Sequence, residues 1–479
     1  MFLMSLHRSE AVIFSESQAD PWSGCVAGAT RLSMSTHIQQ VDSSRSTPRG
    51  QGTPRYQRAV RDQVRIEMRS LDQLLPADDP ARVVWEFVRK LDLAEFDAEI
   101  RAVEGHVGRS PVDPAILLAL WLLATLDGIG SAREVAVLST RHLAYEWLCG
   151  EVGVNHHRLS ALFKSERGRS ARPERLEALM VQVLAVLMDQ GLVSLNRVAQ
   201  DGMRVRASAG GSSFRRKARL EEHLQDAQAQ VAALKNQVDE DSGAADRRVQ
   251  AAKARAVTER LERVEEALAQ LPELEAKMER RKKGDGAKAR CSTTDPDARR
   301  MKMADGGTRP AYNVQLATTD ETRLIVGWDV TNVGSDGGLM TPMVEQLEQH
   351  FDRRPQEYLA DGGFSSKHDI EELQSHGTTV YTPVRDEDNK WLKGQDPFAP
   401  LPGDSPIIGA WRQRMGTEAA QTIYKLRPSL AEFPNAVFRN RGLRQFLVRG
   451  LHKVKAVTMW QVLAFNFTRI RSLGWLPAL

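Results

Sequence analysis

LVSLNRVAQDGMRVRA (192–207) and YLADGGFSS (358–366) decide how the rest of the chain is read. The first alternates apolar and polar positions and is rich in β-branched residues, the pattern of a half-buried strand, here carrying Asp201. The second is a short apolar run that stops in glycines, a strand with Asp361 at its end. Each aspartate is followed by glycine, as Asp201-Gly202 and Asp361-Gly362-Gly363. Side chains at the carboxyl ends of neighbouring strands converge. A glycine beside them lets the chain turn away and leaves room for a substrate backbone. One Asp-Gly pair alone reads as an ordinary turn. Two of them, each closing a β-rich apolar segment, point towards a site.

Working outward, PAYNVQLATTDETRLIVGWDVTN (310–332) reads as two strands joined by a polar turn at Thr319-Asp320-Glu321. TPMVEQLEQHF (341–351) and SSKHDIEELQSH (365–376) read as helices, and TTVYTPV (378–384) as a further strand. Residues 385–410 are polar and rich in Pro and Gly, hence loop, and the chain from Gly416 to Leu473 is mainly helical. The order is strand, insertion, two strands, helix, strand, helix, strand, helices. It fits an α+β fold, a mixed α/β sheet with helices on its faces, and not a helical bundle or a sandwich.

The insertion occupies 215–285. Leu220, Leu224, Ala227, Val231, Leu234 and Val238 recur by four and three, as do Val257, Leu261, Val264, Leu268 and Leu271. That is a coiled-coil seam on each of two helices, with a turn at DSGAAD (241–246), and predicts an antiparallel hairpin. Upstream, residues 61–190 read as an all-α N-terminal domain. One helix follows Pro80, one follows Pro114 through LLALWLLATL, one lies in REVAVLSTRHLAYEWL, and two more cover Gly153 to Phe163 and PERLEALMVQVLAVLMDQGL. Such a domain either docks on DNA or simply packs. Residues 1–60 contain SSRSTPRGQGTPRYQR and read as a disordered basic tail. They equally suit translation upstream of the true start, with Met34 and Met68 as internal starts.

The composition is that of a soluble globular protein. The chain has 479 residues, 27% charged and 41% hydrophobic, with a net charge of +4, so the distribution of charge matters more than its sum. Cys25, Cys149 and Cys291 form neither a disulfide framework nor a zinc motif, which fits a reducing cytoplasm. The longest apolar run, Ala115 to Leu126, is too short to cross a membrane, and the first residues lack a sustained apolar segment.

Phosphoryl transfer on DNA needs neutralised phosphate charge and an activated oxygen. Two Mg²⁺ ions supply both, and two or three clustered carboxylates suffice to hold them. With that chemistry in view, VAQDGMRVRA, STTDPDARRMKMADGGTRPAYNVQLATT, YLADGGFSS and YKLRPSLAEFPNAVFRNRG (424–442) together resemble a bacterial insertion-sequence transposase of the DDE class. The resemblance covers roughly residues 68–475, and the last block resembles the family's Tyr–Arg–Glu–Lys signature in Tyr424, Arg427, Glu432 and Arg439. One departure is Arg439, where the family pattern has Lys; the charge is kept but its geometry changes.

The resemblance implies an RNase H-like catalytic core over 191–475, interrupted by the hairpin. It implies that Asp201, Asp361 and Glu432 are the metal-binding triad, loaded with two Mg²⁺ or with Mn²⁺ in their place. It implies that Tyr424, Arg427 and Arg439 hold DNA. Glu432, between Pro428 and Pro434, would sit in a short or kinked helical turn. Arg441, Arg444, Arg449, His452, Lys453 and Lys455 follow, interleaved with Phe438, Leu443, Phe446 and Leu447, which would anchor the segment to the core. Positive charge there suits a phosphate backbone or, equally, a solvated helix face. Asp295 and Asp297 read as capping or turn residues rather than extra site carboxylates. The expected partners are double-stranded DNA, as terminal inverted repeats and target, and a second copy of the chain in a synaptic complex. The setting is a bacterial cytoplasm with nucleoid association. A nuclease with the same core, a decayed DNA-binding descendant, and a coiled-coil interaction protein built on the insertion are the competing readings.

Overall fold

The computed structural model describes residues 68–98, 100, 102, 110–161, 173–237 and 244–479. The expected tail at 1–60, the end of the helix drawn to Phe163 and the start of the DSGAAD turn lie outside these residues.

The described residues of 68–189 form eight helices: α1 (Leu71–Leu74), α2 (Pro80–Val88), α3 (Ala94–Asp97), α4 (Pro114–Leu126), α5 (Ala132–Leu138), α6 (Leu143–Cys149), α7 (His156–Ala161) and α8 (Pro173–Asp189). Their starts follow local chemistry. Asp79 and Asp113 each accept a hydrogen bond from the backbone two residues on, and each is followed by a proline in the first turn, where its missing N–H costs nothing. Helix α4 is buried almost all round, which explains its unbroken apolar run.

The chain then enters the main sheet with β1 (Arg197–Arg206) and continues through β2 (Phe214–Arg215), α9 (Lys217–Gln237) and α10 (Ala244–Arg281). Leu220 clusters with Ala267 and Leu271, and Arg260 Nη1 donates to Gln230 Oε1 at 3.1 Å. The pairing runs down one helix as it runs up the other, so the two are antiparallel. Strands β3 (Cys291–Ser292), β4 (Arg299–Lys302), β5 (Thr308–Thr319) and β6 (Ile325–Thr331) come next. They lead to α11 (Met340–Phe351), β7 (Glu357–Leu359), α12 (Lys367–Ser375) and β8 (Thr379–Tyr381). The chain closes with α13 (Glu387–Leu392), α14 (Pro406–Met415), α15 (Glu418–Tyr424), α16 (Arg427–Asn440) and α17 (Leu451–Ser472).

Among the described residues the main sheet has six strands in the order β4–β5–β1–β7–β8, with β6 also paired to β5. β5 is antiparallel to β1, β4 and β6, whereas β1, β7 and β8 are mutually parallel. β2 and β3 pair separately at the base of the inserted helices. One hydrophobic core runs from Leu75 to Ile470 and includes both the early helices and the sheet. Helix α17 is its centre: Phe467 packs its ring 5.1 Å from Phe87, and Trp460 lies 6.3 Å from Trp121. Asn466 closes the outer edge of β6, taking the backbone N–H of Ile325 at 2.9 Å and donating to its carbonyl at 2.7 Å. An exposed strand edge is thereby satisfied.

Five sequence expectations change. Residues 385–410 are not all loop, because α13 occupies Glu387–Leu392 and α14 begins at Pro406, and REVAVLSTRHLAYEWL holds two helices, α5 and α6, rather than one. Asp201 is not at the end of its strand: β1 continues five residues beyond it because β5 pairs with it as far as Arg206. Glu432 is not in a short turn: α16 runs for 14 residues, with Pro428 in its first turn and Pro434 inside it. Leu447 anchors nothing, being 74% exposed, although Phe438, Leu443 and Phe446 are buried as expected.

Candidate active site

The register of β1 against β7 places the two aspartates. Val198 and Ala199 lie opposite Tyr358 and Leu359 in parallel pairing. Two residues further on in both chains are Asp201 and Asp361. β7 has ended there while β1 goes on, so Asp361 stands in the loop beside the still-paired Asp201. Its Oδ1 accepts the Gly363 N–H at 2.7 Å, which holds the loop. Helix α16 packs over this point from one face and brings Glu432.

The three carboxylates meet on one guanidinium. Arg427 Nη2 lies 2.7 Å from Asp201 Oδ1 and 3.5 Å from Asp361 Oδ2, and Nη1 lies 3.2 Å from Glu432 Oε1. The Arg427 side chain is only 9% exposed, that of Asp201 14%, and that of Glu432 61%, so the set grades from core to solvent. Asn435 Nδ2 donates to Asp201 Oδ2 at 2.8 Å, engaging the second oxygen. Burial pushes Asp201 up to about 6; Arg427 opposes that shift and the neighbouring Asp361 adds to it. Tyr424, from the end of α15, faces the same group. Burial raises its hydroxyl above the ordinary tyrosine range, with Arg427 pulling the other way and Asp361, Asp201 and Glu432 adding to the rise.

Among the described residues no three His, Cys, Asp or Glu side chains are drawn together tightly enough to cage a metal ion. The donor set nevertheless fits a hard divalent cation: carboxylate oxygens converge on one positive charge, and Asn435 Oδ1 is a buried carbonyl oxygen without a hydrogen-bond partner beside Asp201.

Below β1, on the side away from α16, lies a carboxylate that sequence reading missed. Asp336 accepts Asn313 Nδ2 at 2.7 Å and Gln315 Nε2 at 3.0 Å on one oxygen, and Arg204 Nη2 at 2.9 Å on the other. A Cβ on Gly202 would stand 2.6 Å from Asp336 Oδ1 and 2.5 Å from Gln315 Nε2. Gly202 is thus needed for the close approach of Asp336, not for a turn. A Cβ on Gly363 would come 2.9 Å from Asp361 Oδ1 and 3.6 Å from Asp336 Oδ2, so the Asp336 loop also abuts the Asp361 loop. Asn435 was missed as well. Its signal lay in α16, where Arg427, Ala431, Asn435 and Phe438 form one buried stripe, and a polar residue on such a stripe needs a polar partner.

The remaining basic residues do not join the carboxylates. Arg439 and Arg444 are exposed, and Arg441 is half-buried with Nη2 donating to Thr468 Oγ1 at 2.8 Å. Arg441 and Arg444 line a cleft of about 560 Å³ between α4, α5 and α17, near the far end of β1, where Arg206 N–H donates to the Arg444 carbonyl. Asp295 and Asp297 serve as caps: Asp295 Oδ1 accepts the Gly450 N–H at 3.2 Å and Tyr312 Oη–H at 2.7 Å, and Asp297 Oδ2 accepts the Leu451 N–H at 2.8 Å. They hold the start of α17 and, through Gln270 Nε2 on Asp297 Oδ1 at 2.8 Å, tie α10 to it.

Residues 69–166 match a family described as a transposase domain (DUF772), and residues 278–467 match a family described as a transposase DDE domain. The chain belongs to the DDE transposases. Asp361 and Glu432 of this transposase lie inside the second match, while Asp201, α9 and all but the last turn of α10 lie between the two. No curated protein and no solved structure matches the chain. Among the described residues no helix of the transposase is long and apolar enough to cross a membrane.

Proposed function

We propose that the protein cuts DNA at the ends of an insertion sequence and joins the freed 3′-hydroxyl to target DNA, with Asp201, Asp361 and Glu432 holding two divalent cations. The observation that carries this reading is the convergence of three carboxylates, from β1, the β7 loop and α16, on a single positive charge. The strand path β6–β5–β1–β7–β8, antiparallel at β5 and parallel thereafter, supports an RNase H-like core.

Divalent cations of the kind this family uses would neutralise phosphate charge and activate the attacking oxygen when bound. The chain's own groups do the rest. Asp201 is oriented by Asn435, and Asp361 by the Gly363 N–H. Glu432, the most exposed of the three, faces the side from which DNA approaches. Arg439 and Arg444 are exposed cations for the phosphate backbone, with Arg441 beside them and Tyr424 and Arg427 nearest the reacting group. The helices of 68–189 would read the terminal repeat, and two copies would pair two ends in a synaptic complex.

The test is to incubate the protein with Mg²⁺ and a labelled duplex carrying the flanking inverted repeat, beside Asp361→Ala. Cleavage at the repeat boundary by wild type alone is expected. Binding without cleavage by either protein would instead identify a decayed DNA-binding descendant.

A further inference from the structure

We propose that Arg427 is a resident counter-cation of the carboxylate set, that it competes with the divalent cation for the same oxygens, and that on displacement it turns to a DNA phosphate. The inference rests on the reading of Asp201, Asp361 and Glu432 as metal-holding residues.

Oxygen supply and charge both point this way. A carboxylate oxygen whose lone pair meets a guanidinium N–H at 2.7 Å does not offer that lone pair to a metal. Both Asp201 oxygens are engaged, Oδ1 by Arg427 and Oδ2 by Asn435. Asn435 is neutral and can stay when a cation binds; Arg427 is a full positive charge in direct contact with all three carboxylates and repels any second cation there. Its hold is incomplete. The Nη atoms carry the ion pairs, while Nε is buried without an acceptor, so the bound state leaves one donor unsatisfied. Arg427 is also the first residue of α16, next to the break between α15 and α16, so its side chain can swing without unwinding a helix interior. A planar guanidinium released beside an incoming phosphate pairs with it through two parallel N–H donors. Arg427 would then offset part of the carboxylates' negative charge without metal, and the site would become receptive when metal and DNA arrive together.

The test is Mn²⁺ binding to DNA-free protein, read from the loss of the free-ion electron paramagnetic resonance signal, in wild type, Arg427→Gln, Arg427→Lys and each with Asp361→Asn. Arg427→Gln should bind Mn²⁺ roughly tenfold more tightly than wild type, a typical size for coupling between competing ligands. Arg427→Lys, which cannot bridge three carboxylates, should fall between. Where thermal melting shows Arg427→Gln unfolded, Arg427→Lys is read against wild type in the same assay. Mn²⁺ affinity that is equal or weaker in a folded Arg427 variant would overturn the inference while leaving the metal reading intact, provided Asp361→Asn abolishes binding in both backgrounds. Binding that survives Asp361→Asn would overturn the metal reading and the inference with it.

Discussion

The carboxylate of Asp336 sits directly under Gly202, with Oδ1 2.6 Å from where a Cβ on that glycine would stand. The residue after Asp201 therefore has no side chain because the opposite face of β1 is occupied by an ion pair and two amides. Gly202→Ala should push Asp336, Gln315 and Asn313 apart and destabilise the fold by about 1–3 kcal/mol, the usual cost of overpacking. Chemical denaturation measures this, and an unchanged midpoint would show that the Asp336 loop yields freely.

Asp336→Ala removes the shared acceptor of Arg204, Asn313 and Gln315. Arg204 Nη2 keeps the Gly334 carbonyl at 3.0 Å and Asn313 Nδ2 the Val333 carbonyl at 3.3 Å, so Gln315 Nε2 loses most, and the change should cost about 1–3 kcal/mol, as for a buried donor left unsatisfied. Asp336→Asn keeps an acceptor and should recover part of that loss in the same unfolding experiment.

Asp201 gives a pH signature in metal-free protein. Its carboxyl is raised from an ordinary 3.8 to about 6 by burial. The folded state therefore holds the proton more tightly than the unfolded state. The stability this contributes is full below about 4 and is lost as pH rises through about 6. Asp201→Asn does not titrate. Its stability relative to wild type should thus climb between pH 4 and 7 by on the order of 3 kcal/mol, each tenfold difference in proton affinity being worth about 1.4 kcal/mol. Other raised carboxyls, such as Asp295 and Asp369, cancel in the difference. A flat difference in melting temperature across that range would contradict the role given to burial.

The two aspartates of the site were legible because Asp201 lies in, and Asp361 two residues beyond, a strand whose pattern stands out, and parallel pairing of those strands brings them level. Glu432 was not legible from its surroundings. An exposed helical glutamate carries no local mark, and only the resemblance to a family singled it out. Asp336 and Asn435 were hidden for a different reason: their partners are remote in sequence, Arg204 132 residues from Asp336 and Asp201 234 residues from Asn435. Alternation finds which face a residue occupies, not what lies across from it. Asp295 and Asp297 do act as caps, although the helix they cap begins more than 150 residues later.

Asp297→Ala should remove the acceptor for the Leu451 N–H and for Gln270, costing about 1 kcal/mol as for the loss of a helix cap. Hydrogen exchange should rise first in the opening turn of α17 and along the facing stretch of α10. Protection that is unchanged in both places would remove the tie between them.

Arg439→Ala and Arg444→Ala should weaken DNA binding evenly across sequences, and each should reduce the slope of log affinity against log salt by about 0.9. Arg439→Lys should keep that slope. Fluorescence anisotropy over a salt series reads all three, and an unaltered slope in both alanine variants would place the DNA path elsewhere.

The most direct test compares strand cleavage by wild type, Asp201→Ala, Asp361→Ala and Glu432→Ala on one inverted-repeat duplex with Mg²⁺, each variant first shown to fold and to bind that duplex. Wild type should cleave at the repeat boundary and the three variants should not. Cleavage that persists in all three would contradict the central claim, because the carboxylates gathered around Arg427 would then not be the ones that do the chemistry.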